Sequence, residues 1–198
     1  MRDLKNTLDV AVPAEVRIPA ALRTGGIILG GTLLAAVCAH VVLPLYFTPV
    51  PLSLQPLAVL LLGLLLSPRL AGTTMAAYLA EGAMGLPVFA PGAGSLTGLA
   101  HLFGPTGGYL LAYPAAAVLV SFLWRQGGRR LAPALLAAAA GDLVILTSGA
   151  LWLAAWTHLA IASALTMAVV PFLPGDALKV VVVAALAVGL VRIRRAAL

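Results

Sequence analysis

Three of the six acidic residues in this chain sit where a carboxylate is expensive. Glu81 lies in YLAEGAMGLPVF, Asp142 in AAAAGDLVIL, and Asp176 in PFLPGDALK, which runs on into the uncharged VVVVAALAVGLV. Lys179 follows Asp176 by three residues, on the same face of any helix that carries both. An ionisable group inside a bilayer costs about 3 kcal/mol or more, so such groups tend to be paired or functional. Two readings of the Asp176–Lys179 pair stand. Asp176, just after Pro174-Gly175, caps a helix start, where free N–H groups and the dipole favour a carboxylate, and Lys179 neutralises it. Alternatively the pair faces a cavity, Lys179 binding an anionic group of a ligand while Asp176 keeps it protonated. Glu81 reads either as an interfacial carboxylate or as an acceptor on a cavity wall. Asp142, about halfway down a span, reads by default as a hydrogen bond to a neighbouring helix. Asp3, Asp9 and Glu15 fall in a polar tail and carry little information.

Other chemistry finds no support. His40, His101 and His158 are scattered and lack cysteine company, so no metal spacing is present, and single histidines are commonly structural. There is no Walker motif, hence no ATP hydrolysis by this chain, and no Gly-x-Ser-x-Gly elbow for a hydrolase triad. Cys38, the sole cysteine, reads as a small buried hydrophobe.

The elements that must position these residues follow from composition. Of 198 residues, 62% are hydrophobic and only 9% charged, with a mean hydropathy of +1.09; a water-soluble surface needs far more charge. The expectation is an all-α integral membrane protein forming one transmembrane domain over residues 1–198. Residues 1–20 form a polar N-terminal segment that lacks a cleavable signal. Spans are expected at about Leu22–Leu43, 57–66, Leu70–Met84, Gly107–Trp124, from 131 to about Trp152 with a bend and a short segment after it, and from Pro174-Gly175-Asp176 to about Val191. Prolines at 44, 49, 51 and 56 exclude a continuous helix between the first two spans, and 85–106 reads as a Gly/Pro-rich loop.

Six spans put both termini on one side. That side also collects 11 of the 12 basic residues, every one but Lys179, which predicts cytoplasmic termini. The net charge of +6 is thus a topology signal and points to no nucleic acid partner. The two outer loops are apolar and carry Phe47, Phe89 and Phe103. They are expected to fold back over the bundle, since irregular backbone at membrane depth is tolerated only when buried or lining a cavity. Trp124, Trp152 and Trp156 are expected to anchor spans at the interfaces. On the first span Gly31, Ala35 and Ala39 recur every four residues, and Gly26 and Gly30 form a second ridge; both permit close helix approach, inside the bundle or with a partner.

Taken together, TPVPLSLQPLAVLLLGLLLSPRLAG (48–72), YLAEGAMGLPVFAPGAGS (78–95), GPTGGYLLAYP (104–114), GALWL (149–153) and PFLPGDALK (171–179) resemble, in order and spacing, the BioY family. These are the biotin-specific membrane components of energy-coupling-factor vitamin transporters. The resemblance implies a bacterial, multi-pass cytoplasmic membrane protein whose outer loops close over one biotin, with no catalytic chemistry and no cofactor. It implies ligand contacts from Asp176 and Lys179, with Gln55 and Tyr109 lining the pocket. It implies an energy-coupling transmembrane subunit and ATP-binding-cassette ATPases as partners, or operation without them as a homo-oligomer, and it turns Gly31, Ala35 and Ala39 toward the coupling subunit. Relatives carry an asparagine where this chain has Ala93 and a basic residue where it has Leu110; Ser95, Glu81 and Asp142 are the nearest candidates to replace them. The competing expectations are a binding component for a different vitamin, an intramembrane enzyme using Glu81, Asp142 and Asp176 as acid–base groups, and a structural bundle without a ligand.

Overall fold

The structure, a computed structural model, describes residues 19–91 and 96–196. Ala93, Ser95 and the polar segment up to residue 18 lie outside the described residues.

The chain folds as a helical bundle. Helix α1 (Ala20–His40) leads into a short antiparallel hairpin, β1 (Val42–Leu43) and β2 (Leu52–Ser53), with Val42 opposite Ser53 and Leu43 opposite Leu52. Helices α2 (Gln55–Leu65) and α3 (Pro68–Ala83) follow, then a single turn α4 (Leu99–Leu102), and α5 (Gly107–Gln126), α6 (Leu131–Thr157), α7 (Ile161–Ala168) and α8 (Leu173–Ala196). Helices α1, α5 and α6 are long and apolar enough to cross a membrane. With 11 residues, α2 reaches only roughly 16 Å at 1.5 Å per residue, and its N-terminal end continues from the hairpin strand β2.

Local chemistry sets the boundaries. The Ser67 hydroxyl accepts from the Leu70 N–H (3.4 Å) and Pro68 occupies the first turn, starting α3. Its end is a Schellman closure: Gly85 adopts φ +96°, its N–H reaches the Gly82 carbonyl (3.0 Å), and the Leu86 N–H reaches that of Glu81 (3.2 Å). Pro44, Pro49 and Pro51 fall in the connection between β1 and β2, where a missing N–H breaks no ladder.

The core has α2 and α5 at its centre. Helix α5 packs on α2, α3 and α6; α2 also packs on α1 and α8, and α8 closes against α6. The approach of α2 to α5 depends on Gly63, where a Cβ would fall 2.9 Å from that of Val120. Buried Tyr78, Met75, Leu60, Val120 and Leu153 fill the interior.

Several expectations change. The fifth helix runs past Trp152 to Thr157, and the short segment after it is α7. The Pro-rich connection contains the hairpin, which its prolines concealed. Of the loop aromatics only Phe89 turns inward, its edge against the Tyr78 ring; Phe47 and Phe103 are exposed. Trp124 is not an outward anchor: it is 2% exposed, and its Nε1–H donates to the Arg130 carbonyl (3.2 Å), closing the RQGGRR turn. Trp152 donates to the Gly104 carbonyl (2.8 Å), tying the second outer loop to α6. Gly31, Ala35 and Ala39 are buried within the bundle. A Cβ on Gly31 would fall 2.5 Å from Thr74 Cγ2, and Ala35 and Ala39 have no exposed surface. These small residues bring α1 close to α2 and α3, while Gly26 and Gly30 face outward.

Candidate functional site

A cavity lies among the N-terminal ends of α2, α5 and α8 and the middle of α6. Val50, Pro51 and Ser53 of the first outer connection line one side, and Ala90 and His101 of the second line another. Tyr109, Leu110 and Tyr113 come from α5, Asp142, Ile145 and Leu146 from α6, and Asp176 and Lys179 from α8, with Phe172 just ahead of them.

The charge pair sits on this wall. Lys179 Nζ lies 2.7 Å from Asp176 Oδ1, and both residues are buried, at 5% and 3% exposed. Asp176 is in the first turn of α8, where the dipole favours its charge, and its own N–H is spent on the Phe172 carbonyl (2.8 Å). An ammonium has three donors. One serves Asp176, leaving two for the cavity.

Gln55 and Tyr109 also line the cavity, and each is fixed by a second contact. Gln55 Nε2 donates to Tyr78 Oη (2.6 Å), which donates to the Val88 carbonyl (2.7 Å). This relay joins α2, α3 and the second outer loop. Tyr109 Oη donates to the Ala168 carbonyl at the end of α7 (2.6 Å), so its hydroxyl holds the α6–α8 connection while its ring forms cavity wall. The ring fits because residue 149 is glycine; a Cβ there would overlap it. Gly149→Val is therefore expected to dislodge Tyr109, breaking the Ala168 bond and lowering stability by about 1–3 kcal/mol. Thermal unfolding in detergent checks this; an unshifted midpoint would refute it.

Asp142 reaches the cavity as well, without the expected bond to a neighbouring helix: its Oδ1 is buried and has no partner. Glu81 does not join the group. It sits half-buried in the last turn of α3 and does not line the cavity. Leu110 is buried in the cavity wall and brings no charge. Sequence reasoning missed Thr106 and His101. Thr106, just before α5, looks like a helix cap, but its hydroxyl makes no capping bond. The ring of His101 is held by its Nδ1 on the Leu96 carbonyl (3.0 Å) and packs at a tilt against Phe89.

The fold and its cavity define a helical bundle with three helices apolar enough to cross a membrane and a cavity whose mixed apolar and polar lining suits a small, partly apolar ligand. The BioY family model matches residues 11–196, and the chain belongs to that family. It is 34% identical over 162 residues to biotin transporter BioY2 of Lactococcus lactis subsp. cremoris, covering 82% of this chain and 86% of that one. It is 36% identical over 159 residues to biotin transporter BioY of Thermotoga maritima, covering 80% and 90%. A solved structure, the S-component for biotin from an ECF-type ABC transporter, superposes with a TM-score of 0.79 at 25% identity, covering 87% of this chain and 92% of that one.

Proposed function

We propose that this chain binds biotin and carries it across the bacterial cytoplasmic membrane as the substrate-specific component of an energy-coupling-factor transporter. The observation that carries this reading is the buried Asp176–Lys179 pair with donors left over for the cavity, in a chain whose relatives are biotin transporters. Biotin has an apolar bicyclic body with a ureido group at one end and a carboxylate at the other. Aromatic, proline and aliphatic walls suit the body, and the few convergent polar groups suit its ends. Gln55 and Tyr109 shape the wall, and Asp176, Lys179 and Asp142 supply polar contacts. Ser95, five residues after Ala90 in the sequence, is proposed as a further contact. No catalytic step and no cofactor is required.

Helices α1, α2, α3, α5, α6 and α8 are proposed as the six crossings of one transmembrane domain, with both termini in the cytoplasm. Arg69, Arg125, Arg129, Arg130, Arg192 and Arg194 would then lie on the cytoplasmic side, leaving the cavity near the outer face. Transport needs energy that the chain cannot draw from a nucleotide, and an energy-coupling membrane subunit with ATP-binding-cassette ATPases would supply it.

Thermal unfolding of the purified chain with a panel of vitamins tests the assignment. Biotin at about 100 times its dissociation constant is expected to stabilise the fold by about 2.7 kcal/mol. Stabilisation by thiamine or riboflavin in place of biotin would reject it. Biotin recovered chemically unchanged from the complex is the expected result for a transporter component, and an altered product would reject it.

A further inference from the structure

Two buried side-chain atoms among the described residues have no hydrogen-bond partner: Thr106 Oγ1 and Asp142 Oδ1. Both residues line the cavity that holds Asp176 and Lys179. Elsewhere the bundle meets its buried polar groups carefully. Thr74 donates to the Leu70 carbonyl (2.7 Å) and Ser121 to that of Leu66 (2.6 Å). An unpartnered buried carboxyl is costly, and native folds keep such groups rare. Two of them facing one cavity indicate that a ligand completes the bonding there.

They stand at different levels along α5. Gly141, next to Asp142, packs on Val120 and the carbonyl of Ala116. Thr106 precedes α5 and lies ten residues before Ala116, roughly 15 Å away along the helix. Asp142 therefore lies level with the middle of α5 and Thr106 at its start. An elongated ligand that is polar at both ends matches this separation.

The chemistry of the two groups sets the direction. A carboxyl group presents an acceptor oxygen in either protonation state. A ureido group offers N–H donors to that oxygen in either form, whereas toward a ligand carboxylate an ionised Asp142 would set acceptor against acceptor and add like charge. A hydroxyl, by contrast, donates well to a carboxylate. We infer that Asp142 reads the ureido ring of the ligand, accepting one of its N–H groups, with the ligand's carboxylate turned toward Thr106. This rests on the biotin reading above and extends it to orientation and specificity.

The test uses the full chain in detergent with Asp142→Ala and Asp142→Asn, titrated with biotin and with biotin methyl ester. The Ala variant is expected to bind biotin at least about tenfold more weakly, and the ester more weakly by the same factor, because the loss lies at the ureido end. The Asn variant keeps a carbonyl acceptor and is expected to recover most of the affinity. Without ligand the Ala variant should melt at or above the wild-type temperature, since an unpartnered carboxyl has been removed. Wild-type affinity in the Ala variant overturns the inference. So does a deficit that disappears with the methyl ester, which would put Asp142 at the carboxylate end. A ligand-free melting point that falls with affinity, without rescue by Asn, would make the residue structural. A wild-type chain that binds no biotin overturns the biotin reading itself, and with it this inference.

Discussion

Lys179→Ala is expected to weaken biotin binding at least tenfold, and Asp176→Ala to do the same, each by losing a charge-assisted contact worth roughly 1.5–3 kcal/mol. The single variants carry a second cost. Lys179 and Asp176 are almost fully buried and touch each other at 2.7 Å, so removing either strands the other. Breaking a buried pair in this way destabilises a fold by about 3–5 kcal/mol. Loss of binding in a single variant could then come from a damaged helix start. The double variant Asp176→Asn/Lys179→Met separates the two, because it removes both charges and strands neither. If the pair serves the ligand, the double variant melts near the wild-type temperature and still binds at least about tenfold more weakly. A double variant that melts normally and binds biotin with wild-type affinity would show that the pair only neutralises itself, and the assignment of Lys179 as a ligand contact would fall. Isothermal titration with a parallel melting curve reads both quantities.

This pair was the most legible part of the site, for a physical reason. A lysine in an apolar helix has few explanations, and an aspartate one turn before it narrows them further. Asp142 was legible as an oddity, but its role was not. Spacing along one helix does not tell whether a polar side chain meets a neighbouring helix or a cavity; that depends on how α6 is rotated against α5 and α2. Glu81 shows the opposite outcome. Its embedded position resembled that of Asp142, yet it lies in the closing turn of α3 and is half-buried outside the cavity. Thr106 gave no signal at all, because a threonine before a helix has an ordinary reading as a cap. Only the absence of that capping bond and the burial of its oxygen mark it.

The fold was legible where punctuation was strong. Pro174-Gly175 falls within the first turn of α8 as expected, and α3 ends where the Gly/Pro-rich stretch begins, though Ser67-Pro68 starts α3 two residues ahead of the expected Leu70. The hairpin was not legible. Its two-residue strands are too short for an alternating pattern, and three prolines between them read as a simple break. The bend and short segment expected after Trp152 are α7, and what was misplaced is the end of the fifth helix, which runs on to the left-handed turn at His158 (φ 56°).

The facing of α1 was the least legible feature, and it leads to a second large effect. Both of its ridges, Gly31-Ala35-Ala39 and Gly26-Gly30, repeat every four residues, so spacing alone gives either one an equal claim to the inside. The structure places the first against α2 and α3 and leaves the second uncovered, with nothing within 4 Å of a Cβ at Gly26 or Gly30. Ala35→Trp must then force an indole into a close-packed contact between helices. Overpacking costs about 1–3 kcal/mol for modest insertions and more for larger ones, and indole is among the largest. The expected result is a sharp fall in the melting temperature, with loss of biotin binding, because α2 carries Gln55 into the cavity wall and α1 braces α2. Gly30→Trp, five residues earlier on the open face, is the matched control: it adds the same bulk where there is room, and its melting temperature and biotin affinity should stay near wild type. Ala35→Trp with an undisturbed melting point and intact binding, but without uptake, would instead return this ridge to the coupling partner.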